Sequence, residues 1–294
     1  MDFTLKAYNK LLCALAQQGI FFQTFSDFII NPKKKVFIIR HDVDRKPYNA
    51  LVLAEMEYSN GITGSYYFRI VPDSWEEEVI RKIAEMGHEV GYHYEDVERA
   101  VKKFKVQGSR FKVQGSGFRV QGSMIGSGSE EIERRIAGEA IEFFIENLER
   151  FRRVVPVKTI CAHGSPLCRW DNRILWKYYD YRDFGIIGEP YFDIDFNEVL
   201  YLTDTGRRWD GVDVSIRDKV QSTRSEILQS RGNRNIHFHS TIDIIEAASE
   251  RKLPDRIMLT VHPQRWTDDL FPWIKELVWQ NLKNIVKYII VRQQ

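Results

Sequence analysis

Cysteine is scarce in this chain: Cys13, Cys161 and Cys168 are the only three in 294 residues, and none belongs to a Cys-x-x-Cys pair. That excludes a disulfide framework and a zinc knuckle as the basis of the fold, and leaves buried or idle thiols as the default reading. Long apolar runs are missing as well. No stretch approaches the roughly 18 to 20 residues that span a bilayer, and the start, Met1-Asp2-Phe3-Thr4-Leu5-Lys6, has no basic segment followed by an apolar one. A cytoplasmic protein without a membrane partner is the expectation. Nor is there an excess of one charge: 43 Lys plus Arg against 41 Asp plus Glu give +2, so no global field recruits nucleic acid. What the chain does have is 43% apolar residues, ample for one large α/β domain or two smaller ones.

The densest chemistry lies at Arg40-His41-Asp42-Val43-Asp44-Arg45, directly after the apolar run Val36-Phe37-Ile38-Ile39. A strand alternates its side chains, so Asp42 and Asp44 share one side at its C-terminal end while His41 faces the other. Two carboxylates that close repel unless a cation or a shared proton intervenes. Four further segments also bring functional side chains near strand-like ends. They are Gly87-His88-Glu89-Val90-Gly91-Tyr92-His93-Tyr94-Glu95-Asp96, Ala162-His163-Gly164-Ser165-Pro166, Leu202-Thr203-Asp204-Thr205-Gly206 with Trp209-Asp210, and Ile257-Met258-Leu259-Thr260-Val261-His262-Pro263.

Between these segments the pattern alternates strand and helix. Leu5, Tyr8, Leu11, Leu12 and Leu15 fall at helical spacing, and helices are expected over 48–58, 75–86, 132–151, 172–179 and 242–248. Strands are expected over 63–68, 88–93, 157–162, 236–239 and 257–261. Such alternation implies parallel pairing with right-handed crossovers, and about seven units of this length favour a distorted (β/α)7-type barrel over a flat sheet. Barrel enzymes carry their sites at the C-terminal strand ends, where Asp42, Asp44, His93, His163 and His262 all fall.

One stretch stands outside this pattern. Residues 104–124 hold three copies of a seven-residue unit, Phe-x-Val-Gln-Gly-Ser-x, followed by Ile125-Gly126-Ser127-Gly128-Ser129. Gly and Ser in every copy oppose a continuous helix, and three isolated strands of this length are too short for stability. The stretch at about 104–129 reads as a loop insertion in a single domain spanning 1–294. Its basic and aromatic composition is found in single-strand nucleic-acid binders, but it lacks a folded platform.

At these motifs the chain resembles the polysaccharide deacetylase (NodB-homology) superfamily, carbohydrate esterase family 4, in its branch whose first motif reads His-Asp-Val-Asp. The resemblance covers roughly residues 20 to 290, and is strongest at His41-Asp42-Val43-Asp44, Gly87-His88-Glu89-Val90-Gly91-Tyr92-His93 and Leu259-Thr260-Val261-His262-Pro263. It implies a metal-dependent hydrolase that removes N- or O-acetyl groups from a carbohydrate or related amide. Asp42 would be the general base, Asp44 and His93 metal ligands, and His262 the general acid. One divalent ion is implied, zinc first, with Mn, Co or Mg as alternatives.

The chain departs from the family at the third ligand, a histidine four residues after the first, where Val97 stands. Glu95 is the favoured replacement, ahead of Asp96 and His163. His163 stands where the family has a base-orienting arginine, and is read as a substrate-binding or orienting group. Trp209 and Trp266 are candidate sugar-stacking contacts. His88 and His41 point away from the site by parity, and His237 with His239 form a weaker candidate pair. Two rival readings remain: a catalytically weak or non-catalytic carbohydrate-binding barrel, and a metal-independent glycosidase in which Asp42 and Asp44 or Glu95 act as acid and base.

Overall fold

In a computed structural model the described residues are 1–111, 127–164, 168, 170–209 and 238–292. Among them are seven strands: β1 (Phe21–Phe22), β2 (Val36–Val43), β3 (Ser65–Phe68), β4 (Glu89–Tyr94), β5 (Ile160–Ala162), β6 (Leu200–Thr203) and β7 (Arg256–Val261). They form one parallel sheet in the order β5-β4-β3-β2-β7-β6. The small strand β1 pairs with the start of β2, on the edge that β3 occupies from Arg40 onward, since β7 fills the other edge.

Every residue of β2 is buried, as a parallel strand covered on both faces requires. No pairing joins β5 to β6 among the described residues, so the expected barrel is realised as an open half-barrel surrounded by helices. The sheet curls nonetheless. Cys161 on β5 and Tyr201 on β6, at opposite ends of the strand order, share an inner cluster with Ile38, Tyr67 and Met258.

The helices are α1 (Leu5–Ala16), α2 (Phe25–Ile30), α3 (Pro47–Ser59), α4 (Glu77–Glu85), α5 (Asp96–Phe111), α6 (Ser127–Arg152), α7 (Leu175–Tyr178), α8 (Pro190–Asp193), α9 (Thr241–Ser249) and α10 (Leu270–Arg292). Local signals start several of them. The Thr4 side chain accepts the Ala7 N–H at the head of α1, which buries Tyr8, Leu11, Leu12 and Leu15. Proline opens α3. None of the described helices is long and apolar enough to cross a membrane.

Two expectations meet a different outcome. α5 runs through the first repeat copy, including Gly108 and Ser109, which were expected to break it. Phe104 packs against the core cluster beside α6 and lies under the Arg135 guanidinium, so tertiary contact at the base of this copy offsets poor local propensity. The repeat beyond Phe111 lies outside the described residues, as do Ile236 and His237 of the strand expected at 236–239; Phe238 and His239 are irregular chain leading into α9.

Register brings the strand ends level. Val43 pairs with Phe68, Phe68 with Tyr92, and Tyr92 with Ile160, so the next residues, Asp44, Arg69, His93 and Cys161, form one row. On the other side His41 pairs with Val261, which makes Asp42 and His262 the next pair.

Candidate metal centre

Alternation decides which side chains enter the half-barrel. On β2 the inward set is Val36, Ile38, Arg40 and Asp42, with Asp44 just beyond the strand; β4 contributes His93 and β5 contributes Cys161. The loop after β5 brings in His163, whose backbone N–H donates to the Tyr94 carbonyl while Asn172 holds its own carbonyl from the other side.

Asp44, His93 and His163 converge. Asp44 Oδ1 lies 3.6 Å from His93 Nε2 and 3.4 Å from His163 Nε2, and the two imidazoles meet edge to face with centroids 5.2 Å apart. His93 Nδ1 sits 2.9 Å from the Cys161 backbone carbonyl. A carbonyl only accepts, so Nδ1 carries a hydrogen, and Nε2 is the ring nitrogen that faces Asp44 and would serve as the ligand atom. Burial pushes the Asp44 carboxyl up, but its hydrogen bonds with His163 and His93 outweigh this and hold it well below the ordinary range. Burial also pushes the His163 imidazole down, toward the neutral form that can ligate.

The donor chemistry fits a divalent ion. One carboxylate and two imidazoles suit several borderline metals and do not select zinc from among them. Beside the trio, Asp42 Oδ1 is buried without a hydrogen-bond partner, while its Oδ2 accepts from Arg40 Nη2 at 2.9 Å. Burial pushes this carboxyl up too, and Arg40 with His93 and His262 brings it below its ordinary value. The inner face therefore presents a buried carboxylate oxygen that no donor among the described residues satisfies.

Across the mouth stands His262. Its Nδ1 lies 2.6 Å from Asp204 Oδ1, its backbone N–H donates to Asp204 Oδ2 at 2.8 Å, and Arg265 Nη1 donates to Asp204 Oδ1 at 2.6 Å. Burial raises the Asp204 carboxyl, but Arg265 and His262 overcome it and hold the group at about 2. The His262 ring is thus fixed through Nδ1, with Nε2 left for other partners.

No family model, curated protein or solved structure matches the chain. What it presents on its own account is an α/β half-barrel with a candidate metal-binding cluster at its mouth, an arrangement consistent with deacetylase-like barrels in general.

Other residues singled out in the sequence fall elsewhere. Glu95 follows the end of β4 and precedes α5, so the chain turns there and its carboxylate goes to Arg69 Nη2 at 2.6 Å; His163 Nδ1 is 3.3 Å away. Asp44, His93 and His163 form one candidate donor set, and Glu95 falls in a neighbouring one with Glu98 and the same His163. Asp96 is buried with Tyr92 and Asn147, whose hydroxyl and amide donate to it, on the outer side of β4. Trp209 and Trp266 are 2% and 1% exposed and pack against Phe3, so these rings build the core beneath the mouth and offer no stacking face. His41 and His88 lie behind β2, with His41 Nε2 2.7 Å from Glu57 Oε1 and His88 Nδ1 accepting the Gly64 N–H.

Arg40, Arg265 and Gln264, which donates to Asp44 Oδ2 at 3.0 Å, were not among the sequence candidates, and Asp204 was noted at a strand end without a role. For Arg40 a signal existed, because the parity that groups Asp42 with Asp44 also includes residue 40. Asp204 carried the same mark as the others, an acid just after a strand.

Proposed function

We propose that this chain is a metal-dependent hydrolase that removes an acetyl group from an acetylated sugar or related amide. The observation that carries the reading is the approach of Asp44 Oδ1 to the Nε2 atoms of His93 and His163, at 3.6 and 3.4 Å, next to the unpartnered Asp42 Oδ1. Asp44, His93 and His163 would hold one divalent ion, which supplies Lewis-acid polarisation of a carbonyl and a bound water made acidic near neutral pH. Asp42, kept ionised by Arg40, accepts a proton at Oδ1. His262, held by Asp204 at Nδ1, donates one from Nε2 to the departing amine or alcohol. Arg40 and Asp204 do not touch the substrate in this scheme; they orient the two groups that do.

The two-carboxylate glycosidase alternative needs one carboxyl that keeps its proton. Asp42 and Asp44 are both held below their ordinary values, which disfavours that pair as acid and base.

The test combines elemental analysis with acetate release from a panel of N- and O-acetylated sugars, with and without chelator. One divalent ion per chain and chelator-sensitive release are expected. Asp44→Ala and His93→Ala should lose the ion, whereas Asp42→Asn should keep it and turn over about 100-fold more slowly. Full metal retention in both ligand variants, or release untouched by chelator, refutes the proposal.

A further inference from the structure

The half-barrel mouth contains a second donor set that overlaps the first. Asp42, His93 and Cys161 offer a carboxylate oxygen, an imidazole nitrogen and a thiol sulfur within 4.8 Å of one another, and all three residues are buried. The pairing of His93 with Cys161 explains the juxtaposition, since paired residues on adjacent strands face the same side. Cys161 accordingly belongs to the inner cluster with Tyr67 and Met258.

The carboxylate is an independent sign that this set can take a ligand. Asp42 is 5% exposed, Arg40 satisfies its Oδ2, and its Oδ1 is buried with no partner. A buried acceptor left open calls for a donor or a cation.

His93 has one nitrogen to give. Its Nδ1 is engaged by the Cys161 carbonyl and its Nε2 faces Asp44, so the two sets compete for a single ion. They differ in softness: Asp44-His93-His163 offers oxygen and nitrogen, and Asp42-His93-Cys161 adds sulfur. We propose that the mouth is an ambidentate metal site, in which a thiophilic divalent ion is drawn onto Asp42, His93 and Cys161 while a harder ion stays on Asp44, His93 and His163. As the metal–sulfur bond forms, the thiol proton leaves to solvent and no electron changes hands. The functional consequence rests on the hydrolase reading: an ion on the inner set occupies Asp42, the residue assigned to proton removal, and so inhibits.

Cadmium and manganese are suitable soft and hard probes. The variant Cys13→Ser/Cys168→Ser leaves Cys161 as the sole thiol. Cadmium titration of the metal-free variant should raise an ultraviolet sulfur-to-cadmium charge-transfer band that saturates at one equivalent. Adding Cys161→Ser should abolish the band and leave manganese affinity within about twofold, whereas Asp44→Ala should weaken manganese at least about tenfold and keep the band. Should the sole-thiol variant fail to fold, the wild-type chain read by difference against Cys161→Ala gives the same measurement. Absence of the band at saturating cadmium overturns the proposal. These readouts are independent of hydrolysis: a band without acetate release upholds this site and removes the deacetylase reading, and manganese-dependent release without a band does the reverse.

Discussion

Replacing Asp204 by Asn isolates the charge that organises one side of the mouth. The Asp204 carboxyl is fully buried and titrates at about 2, against roughly 3.9 for an aspartate in the unfolded chain. The folded state therefore binds fewer protons than the unfolded one. Its stabilisation is complete above the unfolded value and fades as pH falls toward 2, amounting to about 2–3 kcal/mol at neutral pH. Geometry adds to this. Oδ1 accepts from His262 Nδ1 and Arg265 Nη1, and Oδ2 accepts from the His262 N–H and Trp266 Nε1. An Asn amide has one oxygen, so either orientation sets its NH2 against two donors and leaves the buried Arg265 without a counter-charge. These effects overlap, and the expected loss is about 3–5 kcal/mol at pH 7. Urea unfolding of both proteins at pH 7 and pH 3 checks it, with the gap narrowing by about 1 kcal/mol at the lower pH. A difference below about 1 kcal/mol at pH 7, or one that does not shrink on acidification, refutes the reasoning.

Asp96 offers the opposite sign. Burial raises its carboxyl to about 7, so its contribution is fully favourable below pH ~4 and is lost as pH rises through 7. Asp96→Asn removes that titration, and the stability of wild type relative to the variant should fall by about 2–3 kcal/mol between pH 5 and pH 8, measured by denaturant unfolding. Gly91→Ala tests the packing under His93: a Cβ there would meet the Tyr67 ring at 2.4 Å and the Thr159 carbonyl at 2.7 Å. Because the carbonyl belongs to neighbouring backbone that cannot swing aside, a loss of about 3 kcal/mol or more is expected in urea unfolding.

Much of the scaffold is legible in the sequence because its signals are local. An apolar run ending in acids marks β2, parity along it separates Asp42 and Asp44 from His41, and the same parity sends His88 away from His93. The ranking of Glu95 against His163 as third donor was not legible, because it depends on where the chain turns. Between β4 and α5 it turns at Glu95, which sends that carboxylate to Arg69, and the loop after β5 is tied to Tyr94, which brings His163 in. Asp204 and His262 are 58 residues apart, and only the pairing of β6 with β7 reveals that they meet. Trp209 and Trp266 stand beside motif residues in sequence, yet the packing of Phe3 and Tyr8 against them decides their burial.

Behind β2, Glu57 accepts from the hydroxyls of Tyr8 and Tyr66 and pairs with His41, while Arg40 and Asp42 occupy the opposite face. The strand's first half, Val36 to Ile39, is apolar on both faces and would pack in either of two alignments. Its second half would not. A slip of one residue would break the His41–Glu57 pair, bring the Asp42 carboxylate toward Glu57 in its place, and turn His41 inward while Arg40 goes outward with Asp42. Charges placed on both sides of a single buried strand thus penalise misthreading, so the residues that equip the mouth also select the alignment in which the chain can fold.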